Sequence, residues 1–197
     1  MRTFKSCGEF AAYLLSIAPL AEAAQAHGMR DAAVIVQEEA QRELGNYQPS
    51  VGPYREWAPL AESTLEGWDD SHGNHHPGKI ELGYAPPDNP LLASGELKYS
   101  IEISYNNREA AVGVPDETVG DGSDGNRERN IGDVAVDLEF GTRDMPARSF
   151  LGRAAYVKRE EIVAAMVLPV IYAIASVSYV RPQHGHAADS GIDDIPF

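Results

Sequence analysis

The sequence predicts an α+β fold, in which a small and mainly antiparallel sheet is packed by an N-terminal helix and a C-terminal helix, with long loops between them. Three stretches carry that expectation. In residues 21–44, Ala33, Ile35, Val36, Ala40 and Leu44 recur at helical spacing among polar residues. In residues 134–140, Val134, Val136, Leu138 and Phe140 alternate with Ala135, Asp137 and Glu139, the period-two pattern of a strand with one buried face. Beyond residue 149, Phe150, Leu151, Ala154 and Ala155 line one side of a second helix.

Taken in chain order, Ser6 and Glu9 are spaced as a capping box that opens a helix over about 7–18. Pro19 either opens a second helix or kinks the first, and the helical pattern of 21–44 stops at Gly45-Asn46. Residues 47–90 are rich in Pro, Gly, Asn, Asp and His. They read as an irregular arm that Trp57, Leu60, Leu65 and Trp68 pin to a surface, such as that of a neighbouring subunit. The sheet opens near Leu97, with Tyr99, Ile101 and Ile103 on one face and Lys98, Ser100, Glu102 and Ser104 on the other. Asn106-Asn107 turns the chain into a return strand over 110–114. Residues 115–133 form a glycine-rich acidic loop, 134–140 a third strand, and 149–168 the C-terminal helix, which Pro169 stops or bends. Residues 170–180 fit helix or strand, and 182–197 read as a polar tail ordered only by contact. The expected organisation is a helical segment over 1–46, an arm over 47–90, sheet plus helix over 91–168 sharing one core with 1–46, and an extension over 169–197.

A chain of 197 residues with a hydrophobic fraction of 43% is long enough to bury a core as one domain. Its formal net charge of -14 excludes a protein that grips nucleic acid, because phosphate binding is driven by Lys and Arg releasing counterions. An acidic surface suits a conduit for DNA instead, since like charge lets a polyanion slide without sticking. Cys7 is the only cysteine, which excludes an intrachain disulfide and a cysteine metal cage and fits assembly in a reducing cytoplasm. Lys5, Glu9 and the lack of a continuous apolar core predict no signal peptide. Residues 162–180 run without a charge over a membrane-spanning length, although Pro169 and the alanines and serines favour a core or subunit-interface segment.

No constellation of side chains builds a convincing active site. His72, His75 and His76 sit in a Gly and Asn rich loop, and imidazoles bind zinc or copper, but the sequence has no HExxH pattern and the favoured reading is loop or interface surface. His184 and His186 in the tail carry the same weak signal. Asp121, Asp124 and Glu128 lack the full ligand series of a calcium loop and read as a flexible acidic segment that lines a DNA channel. The carboxylate pairs Asp69-Asp70 and Glu160-Glu161 are adjacent residues that do not share a helix face. Ser63, Ser94 and Ser149 have no nucleophile-elbow context. The expectation is a protein without catalytic residues, cofactor or bound metal.

Residues 139–151, EFGTRDMPARSFL, join a strand end to a helix start through Gly141 and Pro146. This stretch resembles the Glu-Phe-Gly-Thr and Pro-Ala-Arg signature of the tailed-phage neck and tail-completion family, also described as head-tail joining, minor tail or virion morphogenesis proteins. Residues 92–103, LASGELKYSIEI, are similar to that family's entry into its first strand, matched at Gly95, Leu97, Lys98, Ser100 and Ile101. Residues 57–65, WAPLAESTL, resemble an element of its virion morphogenesis branch. Together with the N-terminal helix the matches cover about half the chain; the extension after residue 169 departs from the family pattern.

The resemblance implies a structural virion protein at the head-tail junction, assembled in the host cytoplasm into a ring of six or twelve copies. That ring would join a connector or adaptor protein to the tail terminator or tube and leave a passage for DNA, with no membrane partner. Trp57, Leu60, Arg143, Arg148 and Arg153 are the expected subunit contacts, the arginines meeting acidic faces of the next protomer. The alternatives are a minor tail protein, a metal-dependent hydrolase using the His72 loop, and a membrane-active protein using residues 162–180.

Overall fold

The computed structural model describes residues 3–120 and 128–178. The fold is α+β, with an N-terminal and a C-terminal helix and small antiparallel sheets of two strands each. Helix α1 (Cys7–Glu43) begins as a capped helix: the Glu9 N–H donates to Ser6 Oγ at 3.1 Å. Its reciprocal contact is displaced by one residue, because the Glu9 carboxylate accepts from the Lys5 N–H at 2.7 Å. Pro19 lies inside this single helix and opens no second one. The helix ends where Gly45 takes φ 96, a conformation that suits a residue without Cβ.

The arm is more structured than its composition suggests. Helix α2 (Glu62–Glu66) runs directly into β1 (Gly67–Asp69), which pairs antiparallel with β2 (His75–Pro77), Trp68 opposite His76. The Lys79 ammonium then gathers the following loop by donating to the backbone oxygens of Asp88, Asn89 and Leu92 at 2.5, 2.6 and 2.8 Å. Burial pushes the Lys79 pKa down, against the opposing pull of the Asp88 carboxylate.

Beyond Gly95 (φ 91), one helical turn, α3 (Glu96–Tyr99), replaces the start of the expected strand. The strand proper is β3 (Glu102–Tyr105), paired with β4 (Ala110–Gly113) in the register Tyr105 opposite Ala110. The turn between them forms as expected, Asn106 Oδ1 accepting from the N–H groups of Arg108 and Glu109 at 2.7 and 3.0 Å. The acidic loop is bracketed by a third, short pairing of β5 (Thr118–Val119) with β6 (Arg129–Asn130).

Residues 134–140 are helix, not strand: α4 spans Ile131–Phe140. The stretch satisfies both periods, since Ile131, Val134, Ala135 and Leu138 also recur at helical spacing, and the local cap decides between them. Asn130 Oδ1 accepts from the N–H groups of Gly132 and Asp133 at 2.8 and 3.1 Å, starting a helix. Ile131 and Ala135 are therefore buried, while Val136 and Phe140, assigned inward by the alternation, are 56% and 77% exposed.

The C-terminal helical region is divided into α5 (Leu151–Val157) and α6 (Arg159–Ser178). Pro169 sits inside α6 and does not end it, so the boundary expected after residue 168 falls within a helix. Helices α1 and α6 pack along one another, and β3 and β4 pack on α1. At Gly28 the two backbones come close: a Cβ there would stand 2.8 Å from the Ala165 carbonyl oxygen and 3.1 Å from Met166 Cα. The core beneath gathers Leu44, Trp57, Ile101, Ile131, Phe150 and Ala154 from α1, the arm, the region around β3, α4 and α5.

Candidate functional site

The signature stretch 139–151 is the connection between α4 and α5, and its residues spend themselves on closing it. Gly141 ends α4 with φ 76; a Cβ there would lie 2.7 Å from the Ala147 nitrogen and 2.9 Å from the Met145 oxygen. The Thr142 hydroxyl accepts from the Asp144 and Met145 N–H groups at 3.3 and 3.2 Å, and Arg148 N–H returns to the Leu138 carbonyl at 2.8 Å.

Glu139 was expected on the polar face of a strand. It caps the next helix instead. Its carboxylate accepts the N–H groups of Phe150, Leu151 and Gly152 at 2.8, 3.0 and 2.9 Å, together with the Ser149 hydroxyl. Phe150, at the cap position of α5, has no oxygen to offer, so an acid from another helix meets the orphan donors and the positive end of the helix dipole. Gly152 makes room: a Cβ there would stand 2.9 Å from Glu139 Oε1 and 2.6 Å from Tyr54 Oη.

The two other resembling elements meet this connection. The Trp57 indole N–H donates to the Ser149 oxygen at 3.2 Å, and the Arg148 guanidinium donates to the Ala58 oxygen at 3.2 and 3.1 Å and to the Pro59 oxygen at 3.1 Å. Burial pushes the Arg148 pKa down. Leu60 is half-buried and lines a groove of about 570 Å³ together with Leu97, Val134, Leu138 and Met145.

Three of the five expected subunit contacts are thus inside this chain. Trp57, Arg148 and Arg153 are 4%, 5% and 6% exposed, and an apolar or bidentate contact to another protomer would require them at the surface. Arg153 pairs with Glu43 and donates to the Pro49 oxygen at 3.2 Å. Among the described residues, Glu43 Oε2 and Arg153 Nε have no hydrogen-bond partner. Burial pushes the Glu43 carboxyl up to about 7, with the Arg153 guanidinium opposing. Arg143 alone of the three arginines faces solvent, beside Asp144 at 3.6 Å. Of the expected channel residues, Glu128 is exposed, and Asp121 and Asp124 lie outside the described residues.

The histidine loop does not converge. His75 and His76 are neighbours on β2, so their side chains leave opposite faces of the ribbon. The His75 imidazole lies between Asp69 at 2.7 Å and Glu81 at 2.8 Å, which raise its pKa, Glu81 more than Asp69. His76 stacks on Trp68, ring centroids 4.2 Å apart, with Asp70 at 3.6 Å. The backbone N–H of His72 donates to Asp70 Oδ1 at 2.8 Å, and hydrogen bonds led by those from Asn74 hold the Asp70 carboxyl down at about 2. Among the described residues no group of three His, Cys, Asp or Glu side chains is placed to hold a metal ion, so the geometry gives the hydrolase alternative no metal centre. No helix among them is long and apolar enough to cross a membrane, which removes the support for the membrane alternative from α6. No family model matches this chain, nor does any curated protein or solved structure.

Proposed function

We propose that this chain is a structural virion protein of a tailed phage, placed in the neck or at tail completion. Copies would form a ring of six or twelve that joins a connector or adaptor protein to the tail terminator or tube and lets DNA pass. One observation supports the reading best: Trp57 and Ala58 from one resembling element and Glu139, Arg148 and Ser149 from another are held together by direct hydrogen bonds. Residues that recur for architecture are expected to brace the fold in this way, whereas residues that recur for catalysis converge on open space. On this reading the chain does no chemistry of its own, and its charge of -14 keeps DNA from adhering as it passes.

The test is a stop codon in the gene within its phage genome. Expected are filled heads and free tails that do not join, with the chain detected by mass spectrometry in purified wild-type particles. Normal particles assembled without the chain refute the reading, and co-purification with free tails assigns it to the minor tail proteins.

A further inference from the structure

We infer that the free edge of β4 is the docking surface for a second copy of this chain, which adds its own β4 antiparallel and joins the two hairpins into one continuous sheet. The register of the hairpin decides which backbone groups are already spent. At the turn the Asn106 N–H donates to the Glu109 oxygen at 2.9 Å, and hydrogen-bonded pairs recur at every second position, so Ser104 with Ala111 and Glu102 with Gly113 exchange the ladder bonds. The N–H and C=O groups of Ala110 and Val112 therefore point away from β3. Among the described residues they have no other hydrogen-bond partner. β4 packs on β3 and on α1, and α1 reaches the opposite margin of the hairpin, where Gln37 Nε2 donates to the Ile101 oxygen at 2.6 Å just before β3. Ala110 and Ala111 are exposed, and a Cβ on Gly113 would stand in open space.

Backbone chemistry and charge choose the occupant. A row of outward N–H and C=O groups is complemented by another extended backbone. Natural edge strands that stay single carry lysine, proline or a bulge, and Ala110–Gly113 carries none of them. Pro115 restricts Val114 to extended backbone, which continues the edge by one residue. A two-fold pairing about Val112 sets Val112 opposite its own copy and Ala110 opposite Val114, so the outward groups of each strand meet those of the other. The same register brings Arg108 of one copy opposite Asp116 of the second at both ends of the seam, with Glu109 opposite Pro115 and Glu117 opposite Asn107. No acid directly faces an acid. The Arg108 side chain has no hydrogen-bond or ion-pair partner among the described residues, and Asp116 is exposed, accepting from Asn130 Nδ2. Against the charge of -14 on each copy, this seam is a place where two copies attract. It also supplies the neighbouring strands that a two-stranded ribbon lacks for stability in water.

The pairing is two-fold and closes as a dimer, whereas a ring requires head-to-tail contacts, so this inference and the virion reading can fail independently. Sedimentation velocity and amide exchange of the full chain at several concentrations test it. The wild type should dimerise, and the Ala110 and Val112 amides, fast to exchange in dilute protein, should slow at least tenfold in concentrated protein, with Ala111 and Gly113 protected throughout. Val112→Pro removes an outward N–H without touching the ladder to β3, and should weaken dimerisation at least tenfold while keeping the wild-type circular dichroism. If that proline impairs folding, Ala110→Pro, at the exposed start of the strand, reads the same edge. Arg108→Glu should also weaken dimerisation, and Arg108→Lys should largely preserve it. A wild-type chain that stays monomeric at about 200 μM overturns the inference. So does dimerisation that leaves the Ala110 and Val112 amides fast, or a folded edge-proline variant that dimerises undiminished.

Discussion

Arg153 of α5 is paired with Glu43 of α1 across 110 residues of sequence, both side chains buried and each retaining one polar atom without a partner among the described residues. The pair ties the end of the first long helix to the helix that follows the signature turn.

Its stability contribution depends on pH in a direction set by burial. The folded-state pKa of Glu43, about 7, lies above the ordinary 4.5, so folding favours the protonated form. The associated stability is complete below about pH 4.5 and is lost as pH rises through about 7, by at most about 3 kcal/mol. Urea unfolding of the wild type and Glu43→Gln at about pH 5 and about pH 8 should show the variant gaining on the wild type at the higher pH. An equal difference at both would mean an ordinary carboxylate. Arg153→Met, which leaves Glu43 unpaired, should cost about 3–5 kcal/mol at high pH and less in acid.

Glu139 should behave as a helix cap supplied from outside. Glu139→Ala strips three backbone N–H groups of their acceptor and should lower unfolding free energy by about 2 kcal/mol or more. Glu139→Gln keeps an oxygen but loses the charge at the helix end, and should cost less. Chemical denaturation of both would settle the ranking; an equal loss would deny the capping role.

At Gly141 and Gly28 a side chain meets backbone that cannot swing aside. Gly141→Val combines φ 76 with a Cβ at 2.7 Å from the Ala147 nitrogen and should unfold well below the wild type. Gly28→Leu should separate α1 from α6 and speed amide exchange along α6 while sparing the core around Phe150. Uniform exchange in the Gly28 variant would show that the helix pair is held elsewhere.

The histidines should prove dispensable. Combined His72→Ala, His75→Ala and His76→Ala is expected to leave the melting midpoint and virion assembly nearly unchanged, as the His75 ring contacts the exposed carboxylates of Asp69 and Glu81 and the His76 ring stacks on the exposed Trp68. Stoichiometric zinc in the purified wild type, together with lost infectivity of the triple variant, would reinstate the metal-site alternative.

What the sequence made legible is what neighbouring residues decide. The Ser6 cap, the glycine stop at Gly45 and the Asn106 turn need no distant partner, and each occurs where expected. Residues 134–140 misled because Val134 and Leu138 belong to both the two-residue and the helical period, and Asn130, which breaks the tie, lies outside the stretch. Trp57, Arg148 and Arg153 misled for another reason. Aromatic and guanidinium groups suit a subunit interface and a core equally, and their partners stand 90 to 110 residues away. Sequence spacing holds no trace of that separation.

Helix α1 contains 37 residues, which at about 1.5 Å each makes a rod of about 55 Å. A compact chain of 197 residues has a radius of gyration of about 16 Å, so the rod is longer than the body it serves. Its capped N-terminal end therefore stands well away from the core that holds Ala40 and Leu44, and the distance between them is fixed by residue count alone. Such a helix is a ruler. Adding seven residues near its exposed start would carry that end outward by about 10 Å while nearly preserving its rotational facing, and whatever it touches in an assembly would have to sit one such step further out.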